Sequence, residues 1–240
     1  MGVSVLNGLK ERWERVERAL EDLLPVYEVA NRVMSFGMAH KWRKLAVKLV
    51  AKRGLRVLDE GCGPGAMTAA LIKECNPELV VCMDYSLKMV KPAKGLGGQL
   101  VVGVFERAPF KPRAFDLVIC GFSLRDAMDL GETIREQHRM LKPRGQVLVL
   151  DIMKPDRSIA LKLYGFYWLI IAPLLVAPLT LHVGGPIKYL ALYESYRRLP
   201  TISSLKAMYR RLFKKVFVFP IVNHMVAALI ARKGLSVKSD

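Results

Sequence analysis

Acid is what this sequence is short of. Against 38 lysines and arginines stand only 21 aspartates and glutamates, a formal charge of +17 at pH 7 over 240 residues. So large an imbalance points to a polyanionic neighbour, nucleic acid or an anionic membrane surface, or to a surface charged for solubility. Cysteine is scarce as well. Cys62, Cys75, Cys82 and Cys120 lie in or beside apolar stretches, with no C-x-x-C spacing and no histidine at metal-ligand distance. That excludes a disulfide scaffold and a thiolate metal centre, so no metal is expected and the thiols read as small core residues in a reducing compartment. Asn and Gln are sparse beside plentiful Lys, Arg and Glu, a bias that high-temperature proteins share. No secretory leader is recognisable, because residues 11–24 alternate charged and aliphatic positions as an amphipathic helix does, and a cytoplasmic protein is expected. There is also little chain for a second catalytic domain. With 240 residues and 52% hydrophobic content, one α/β core with small additions is expected.

What is present is a glycine loop. LRVLDEGCGPG, Leu55 to Gly65, carries an apolar run through Asp59 into Gly61, Gly63 and Gly65. Glycines at alternate positions after a buried strand leave main chain open to a nucleoside-bearing ligand. Asp59 stands at the strand's C-terminal end, where open α/β sheets bind ligands. A carboxylate there suits a cationic or amine-bearing group and favours S-adenosylmethionine over a dinucleotide, although Gly61, Gly63 and Ala66 also fit the relaxed dinucleotide pattern. A helix over 66–73 and a second apolar strand over 79–83 lead to Asp84, at the spacing of a ribose-binding acid in either class. The plain alternative is that both aspartates only cap turns.

From Leu55 onward strands and helices alternate, which predicts a mostly parallel, doubly wound α/β sheet of Rossmann-like type. Strands are expected at 55–59, 79–83, 100–104, 115–120 and 146–152, with a helix over 131–141 stopped by Lys142-Pro143-Arg144-Gly145. Two β-rich runs, 215–221 and 225–232, predict an antiparallel closing hairpin. Residues 163–183 carry no charged side chain. The stretch is long enough to span a bilayer, but Pro173, Pro178 and its place inside one domain argue instead for an apolar lid or a buried helix pair. The expected organisation is a helical cap over 1–50 and a catalytic domain over 51–240, with the apolar segment inside 156–210.

Several blocks resemble a known family, the class I S-adenosylmethionine-dependent C-methyltransferases of ubiquinone and menaquinone biosynthesis. Tyr27 to Gly37 (YEVANRVMSFG) followed by His40-Lys-Trp42-Arg43 is similar to that family's N-terminal signature. Gly121-Phe-Ser-Leu-Arg125-Asp126 resembles its fourth-strand motif, and Arg139 to Gly145 with Asp151 to Pro155 resembles the helix and strand that follow. Tyr164 to Tyr167, Tyr189-Leu-Ala and Leu205 to Met208 keep its C-terminal order. Three positions depart from the family pattern. Val104 stands where an acid usually holds the adenine amino group, Asp126 replaces Asn, and the loop reads Glu60-Gly-Cys-Gly-Pro-Gly65 rather than Ala-Gly-Gly-Thr-Gly.

The resemblance implies a seven-stranded class I fold and a set of roles. Gly61, Gly63 and Gly65 admit the methionine and ribose parts of S-adenosylmethionine, Asp59 meets its amino-acid end, Asp84 the ribose hydroxyls and Tyr85 the adenine. With Val104 in place of the acid, adenine relies on main chain near Phe105 and Glu106, with Cys120 at the fourth strand's end beside them. Arg125 and Asp126 are the expected catalytic pair: Arg125 stabilises the developing phenolate of the acceptor, and Asp126 either takes its proton or pairs with Arg125. Tyr27, Asn31, His40, Tyr164 and Tyr167 are expected to cover the acceptor. The implied reaction is methylation of a prenylated quinol, demethylmenaquinol first. A different lipid or small metabolite is the alternative acceptor. A basic RNA methyltransferase ranks below both, because the D/N-P-P-aromatic motif of base methylation is missing after the fourth strand. The expected partners are thus a lipid-like quinol and an anionic membrane surface rather than nucleic acid, for a peripherally attached cytoplasmic protein; a homodimer is compatible with the sequence.

Overall fold

The computed structural model describes residues 18, 21–22, 24–156, 165–180, 197, 199–222 and 225–235. By contacts the chain divides into two units. One draws on 1–39 and 155–199, the other on 40–154 and 200–240.

The larger unit is built on a seven-stranded sheet. Its strands are β1 (Arg56–Glu60), β2 (Leu79–Asp84), β3 (Gln99–Val102), β4 (Phe115–Gly121), β5 (Leu141–Ile152), β6 (Lys215–Val222) and β7 (Val226–Arg232), in spatial order β3-β2-β1-β4-β5-β7-β6. The strands from β1 to β5 pair in parallel, and β7 runs antiparallel to both neighbours, so the expected closing hairpin is present. Each central strand is buried on both sides, as a parallel sheet covered by helices requires. Leu58, Val118, Val147 and Val149 point into a core with Ile134, Leu205 and Tyr209, while Val57, Leu117, Ile119 and Leu148 point into a second core with Ala46, Val47 and Leu71. Period-two alternation assigns neighbours in sequence to opposite cores.

Helices α2 (Ala39–Lys48) and α3 (Ala66–Cys75) supply the second core, and α5 (Leu130–Met140) and α7 (Ile202–Arg210) the first; α4 is the single turn Leu87–Val90. Their starts are chemically specified. Asp129 accepts the Glu132 N–H at 3.0 Å at the head of α5, and Ser86 accepts that of Met89 at 3.3 Å at α4. The four cysteines are buried and unpaired, as small core residues are.

The start of β5 differs most from the sequence expectation. β5 starts at Leu141, opposite Phe115, and the sheet register then jumps so that Leu117 faces Gln146. Lys142 to Gly145 bulge out of the ladder instead of separating helix from strand, with Arg144 at φ +64°. β3 ends at Val102, and Val104 forms only an isolated bridge with Arg107.

In the smaller unit, α1 (Tyr27–Met34) packs with α6 (Ala172–Thr180), which follows a π-helical turn over Tyr167–Ile171. The π turn has a local cause. Pro173 has no N–H to give the Leu169 carbonyl, so the helical ladder is broken just where it widens. No helix among the described residues is long and apolar enough to cross a membrane.

Candidate active site

The chain leaves β1 for β2 and β3 on one side and returns to β4 on the other. The C-terminal ends of β1 and β4 therefore flank the crevice where such sheets take ligands. Gly61, Gly63 and Gly65 fill this end of β1 with φ of +68°, +51° and +91°. A Cβ at Gly61 would lie 2.6 Å from both the Phe105 ring and the Ser123 hydroxyl, so the requirement for glycine there is steric as well as conformational. The loop is tied to β2. Gly61 and Cys62 N–H groups donate to the Met83 carbonyl at 2.8 and 3.0 Å, and the Gly63 N–H donates to Asp84 Oδ2 at 2.8 Å. Asp84 Oδ1 accepts the Ser86 N–H at 3.1 Å. Tyr85, next to it, is exposed.

Asp59 and Glu60 face opposite cores, and both are fully buried. Thr68, in the first turn of α3, donates its hydroxyl to Asp59 Oδ2 at 2.6 Å; Oδ1 has no hydrogen-bond partner among the described residues. Burial raises the Asp59 carboxyl to about 7, against the lowering effect of Thr68. On the other face Gln137 donates to Glu60 Oε2 at 2.7 Å and accepts from the Tyr209 hydroxyl at 2.7 Å. Burial raises Glu60 to about 8. Sequence reading gave Glu60, Gln137 and Tyr209 no role; the visible signal was an acid inside an apolar strand.

After β4 the chain makes a short 3-10 turn, Leu124–Asp126. Arg125 is largely buried and donates from Nη1 to Asp151 Oδ1 at 3.2 Å, while its Nε lies 4.0 Å from Asp126 Oδ1. Asp151 also accepts the Leu124 N–H at 3.1 Å, so one carboxylate at the end of β5 holds both backbone and guanidinium of this turn. Burial raises the Asp151 carboxyl and the Arg125 charge opposes the rise. Ser123 links the turn to the glycine loop by donating to the Glu60 carbonyl at 3.2 Å, and it contacts the buried Cys120 thiol at 3.2 Å.

A nucleotide-type glycine cradle and a buried arginine–carboxylate pair at one switch point narrow the class, and sequence comparison decides it: residues 8–218 match the ubiE/COQ5 methyltransferase family. The chain belongs to that family. It is 34% identical over 206 residues to a demethylmenaquinone methyltransferase of Geobacillus kaustophilus, covering 82% of this chain and 87% of that one. It is 26% identical to the ubiquinone/menaquinone biosynthesis C-methyltransferase UbiE of Geotalea uraniireducens, over 94% of this chain and 99% of that protein. Among solved structures, an SAM-dependent methyltransferase of Thermotoga maritima shares the fold at TM-score 0.66 and 16% identity, over 91% of this chain and 99% of that one.

For a member of the ubiE/COQ5 family the remaining expected residues fall as follows. The Glu106 carboxylate accepts the N–H groups of Met128 and Asp129 at 2.7 and 3.0 Å, bracing the start of α5. Phe105 stands over Gly61. His40 is exposed on α2. Tyr27 and Asn31 are half-buried on α1, and the Tyr167 hydroxyl donates to the Met34 carbonyl at 2.5 Å, joining the π turn to the end of α1 within the smaller unit. Tyr164 lies outside the described residues. One residue of the N-terminal signature went without a role in the sequence reading. Arg43 is 7% exposed, sits 5.3 Å from the ring centre of Phe122 in the β4 loop, and its charge is felt by Asp59.

Proposed function

We propose that this methyltransferase moves a methyl group from S-adenosylmethionine to a ring carbon of a prenylated quinol, demethylmenaquinol foremost. The observation that carries the reading is the buried Arg125–Asp151 pair, joined to the glycine cradle through Ser123. A quinol needs a fixed cation at its hydroxyl, and a pinned guanidinium supplies one. The names of the curated relatives support the ring.

The residues present fit the co-substrate. Gly61 and Gly65 are hollows that a Cβ would fill, Asp84 presents a carboxylate to ribose hydroxyls at the end of β2, and Tyr85 offers an exposed ring to adenine. The orphan Asp59 Oδ1 supports an amine at the amino-acid end, reached through a bridging water. Arg43 answers the carboxylate of the same end. Main chain at Phe105 and Glu106 serves adenine in place of the acid missing at Val104.

When bound, S-adenosylmethionine supplies an electrophilic methyl group on a sulfonium. The chain's own part is to hold the acceptor in line, exclude water and manage one proton. Asp126 takes the proton of a quinol hydroxyl, which makes the adjacent ring carbon nucleophilic, and Arg125 stabilises the phenolate charge as it forms. Once the methyl–sulfur bond has given way to the new C–C bond, the ring C–H proton is lost and the carbonyl oxygen regains one, which restores the aromatic quinol with one proton released overall. Asp151 keeps the guanidinium aimed. Tyr27, Asn31, His40, Tyr164 and Tyr167 serve as the cover.

A tailed quinol stays in a bilayer, so the reading includes peripheral attachment on the cytoplasmic side. Phe166, Ile170 and Leu174 expose apolar surface in the segment ahead of and within α6, and the +17 charge draws the protein to anionic lipid. The test is to incubate purified protein with methyl-labelled S-adenosylmethionine and reduced demethylmenaquinone, and to follow label into the extracted lipid. Label in the ring that collapses in Arg125→Ala is the expected result. If the cofactor binds and neither naphthoquinols nor benzoquinols accept the label, the quinone assignment fails.

A further inference from the structure

The sheet edge opposite the glycine loop carries a second concave site. β4 and β6 begin there and β7 ends there, so the segments around Arg113, Lys214 and Lys233 gather about 20 Å from the glycine loop, the length of a six-residue strand. They line an open hollow with about 450 Å³ of space, within the range of small-molecule sites. Arg113, Arg210, Arg211, Lys214 and Lys233 line it together with His138, and no acid among the described residues does.

Its walls are fixed. Lys233 donates from Nζ to the His138 and Leu141 carbonyls at 2.6 and 2.8 Å, closing the C-terminus of α5, and the His138 ring meets Phe213 edge-on at 5.2 Å. Among the described residues none of Arg113, Arg210, Arg211 and Lys214 makes an ion pair. Burial and the charge of Arg113 lower the Lys233 ammonium, and burial and Lys233 lower the His138 imidazole. A fold gains nothing by collecting like charges in a hollow, and a multiply charged anion would relieve the repulsion.

We propose that this cavity binds a phosphate-bearing ligand with two or more negative charges, at a site separate from the methyl-transfer end. Guanidinium forks match phosphate oxygens in pairs, and the strand-length separation leaves the glycine loop free while the anion is bound. A soluble phosphate anhydride and a phosphorylated lipid headgroup share this chemistry.

The probes are inorganic pyrophosphate, titrated calorimetrically into the full chain with and without saturating S-adenosylmethionine, and vesicles of phosphatidic acid, whose headgroup is a phosphomonoester, in phosphatidylcholine against phosphatidylcholine alone. Saturable pyrophosphate binding, indifferent to S-adenosylmethionine, is expected. It weakens about tenfold or more in Arg210→Ser/Arg211→Ser and, separately, in Lys214→Gln, while Lys73→Gln on α3 leaves it unchanged. On binding, the imidazole resonance that disappears in His138→Gln titrates at higher pH, because the anion offsets the surrounding cations. Matching thermal unfolding shows that the variants fold. Binding to anionic vesicles alone, lost in the same variants, assigns the phosphate to a headgroup and upholds the site. No binding of either probe, or equal weakening in Lys73→Gln, overturns it.

Discussion

Arg125 is held by Asp151, 26 positions away in sequence, at 3.2 Å, and only loosely by its neighbour Asp126, at 4.0 Å. The division matters because the two acids then have separable tasks. Asp151, at the end of β5, also binds the Leu124 N–H, so it fixes where the guanidinium stands, and the proposed task of Asp126 is to take the proton.

Replacing Asp151 with Asn keeps a carbonyl for Leu124 and removes the charge that orients Arg125. The turnover rate is expected to fall about ten- to a hundredfold with little change in the affinity for S-adenosylmethionine. Asp151→Ala, which leaves Arg125 without its buried partner, should also cost about 3–5 kcal/mol of stability. Steady-state kinetics and denaturant unfolding read the two effects separately, and an equal loss in cofactor affinity would contradict the assignment.

Gly61 tests the cradle. Its φ of +68° disfavours any side chain, and a Cβ would stand 2.6 Å from Phe105 and Ser123. Gly61→Ala should therefore cost about 1–3 kcal/mol in strain and push Phe105 or the Ser123 turn aside. Calorimetry should find S-adenosylmethionine binding weakened by at least about tenfold. Unchanged affinity would mean that the loop does not shape the cofactor site.

Glu60 makes a prediction in pH. Its folded-state value is raised from 4.5 to about 8 by burial, so between these values the folded protein holds a proton that the unfolded chain has released. The contribution is fully present below about pH 4.5 and is lost as pH rises through about 8. Glu60→Gln removes the titration while keeping the bond from Gln137. The variant should melt several degrees, about 5 °C, above the parent at pH 9, with the gap closing towards pH 4.5. A gap independent of pH would show that Glu60 is not the titrating group.

How far the sequence carried these conclusions depended on the range of the interaction involved. The glycine loop, Asp84 and the alternation of strands and helices are local patterns, and the sheet repeats them almost residue for residue. Asp151 was visible only as part of a motif, because what gives it meaning is the pairing of β4 with β5, which brings the Arg125 turn over its carboxylate. The Glu60–Gln137–Tyr209 chain joins residues from a strand and two helices, and no periodicity encodes such a meeting. The start of β5 was misplaced for a related reason. Lys142 to Gly145 carry the local chemistry of a stop, and the ladder runs past them by bulging.

Arg43 offers the sharpest separation of roles. It comes from α2, the helix after the first part of the N-terminal signature, and lies buried on the Phe122 ring with no acid in ion-pair contact among the described residues. A buried guanidinium without an acid is costly unless a ligand brings the countercharge, and the cofactor's methionine carboxylate is an anion of the right kind beside Asp59. Arg43→Met should keep the packing on Phe122 while weakening S-adenosylhomocysteine binding about tenfold or more. The same variant should bind methylthioadenosine, which lacks the amino-acid end, as tightly as the parent does. Equal loss for both ligands would make Arg43 a packing residue of the β4 loop, and no loss for either would move the carboxylate site elsewhere.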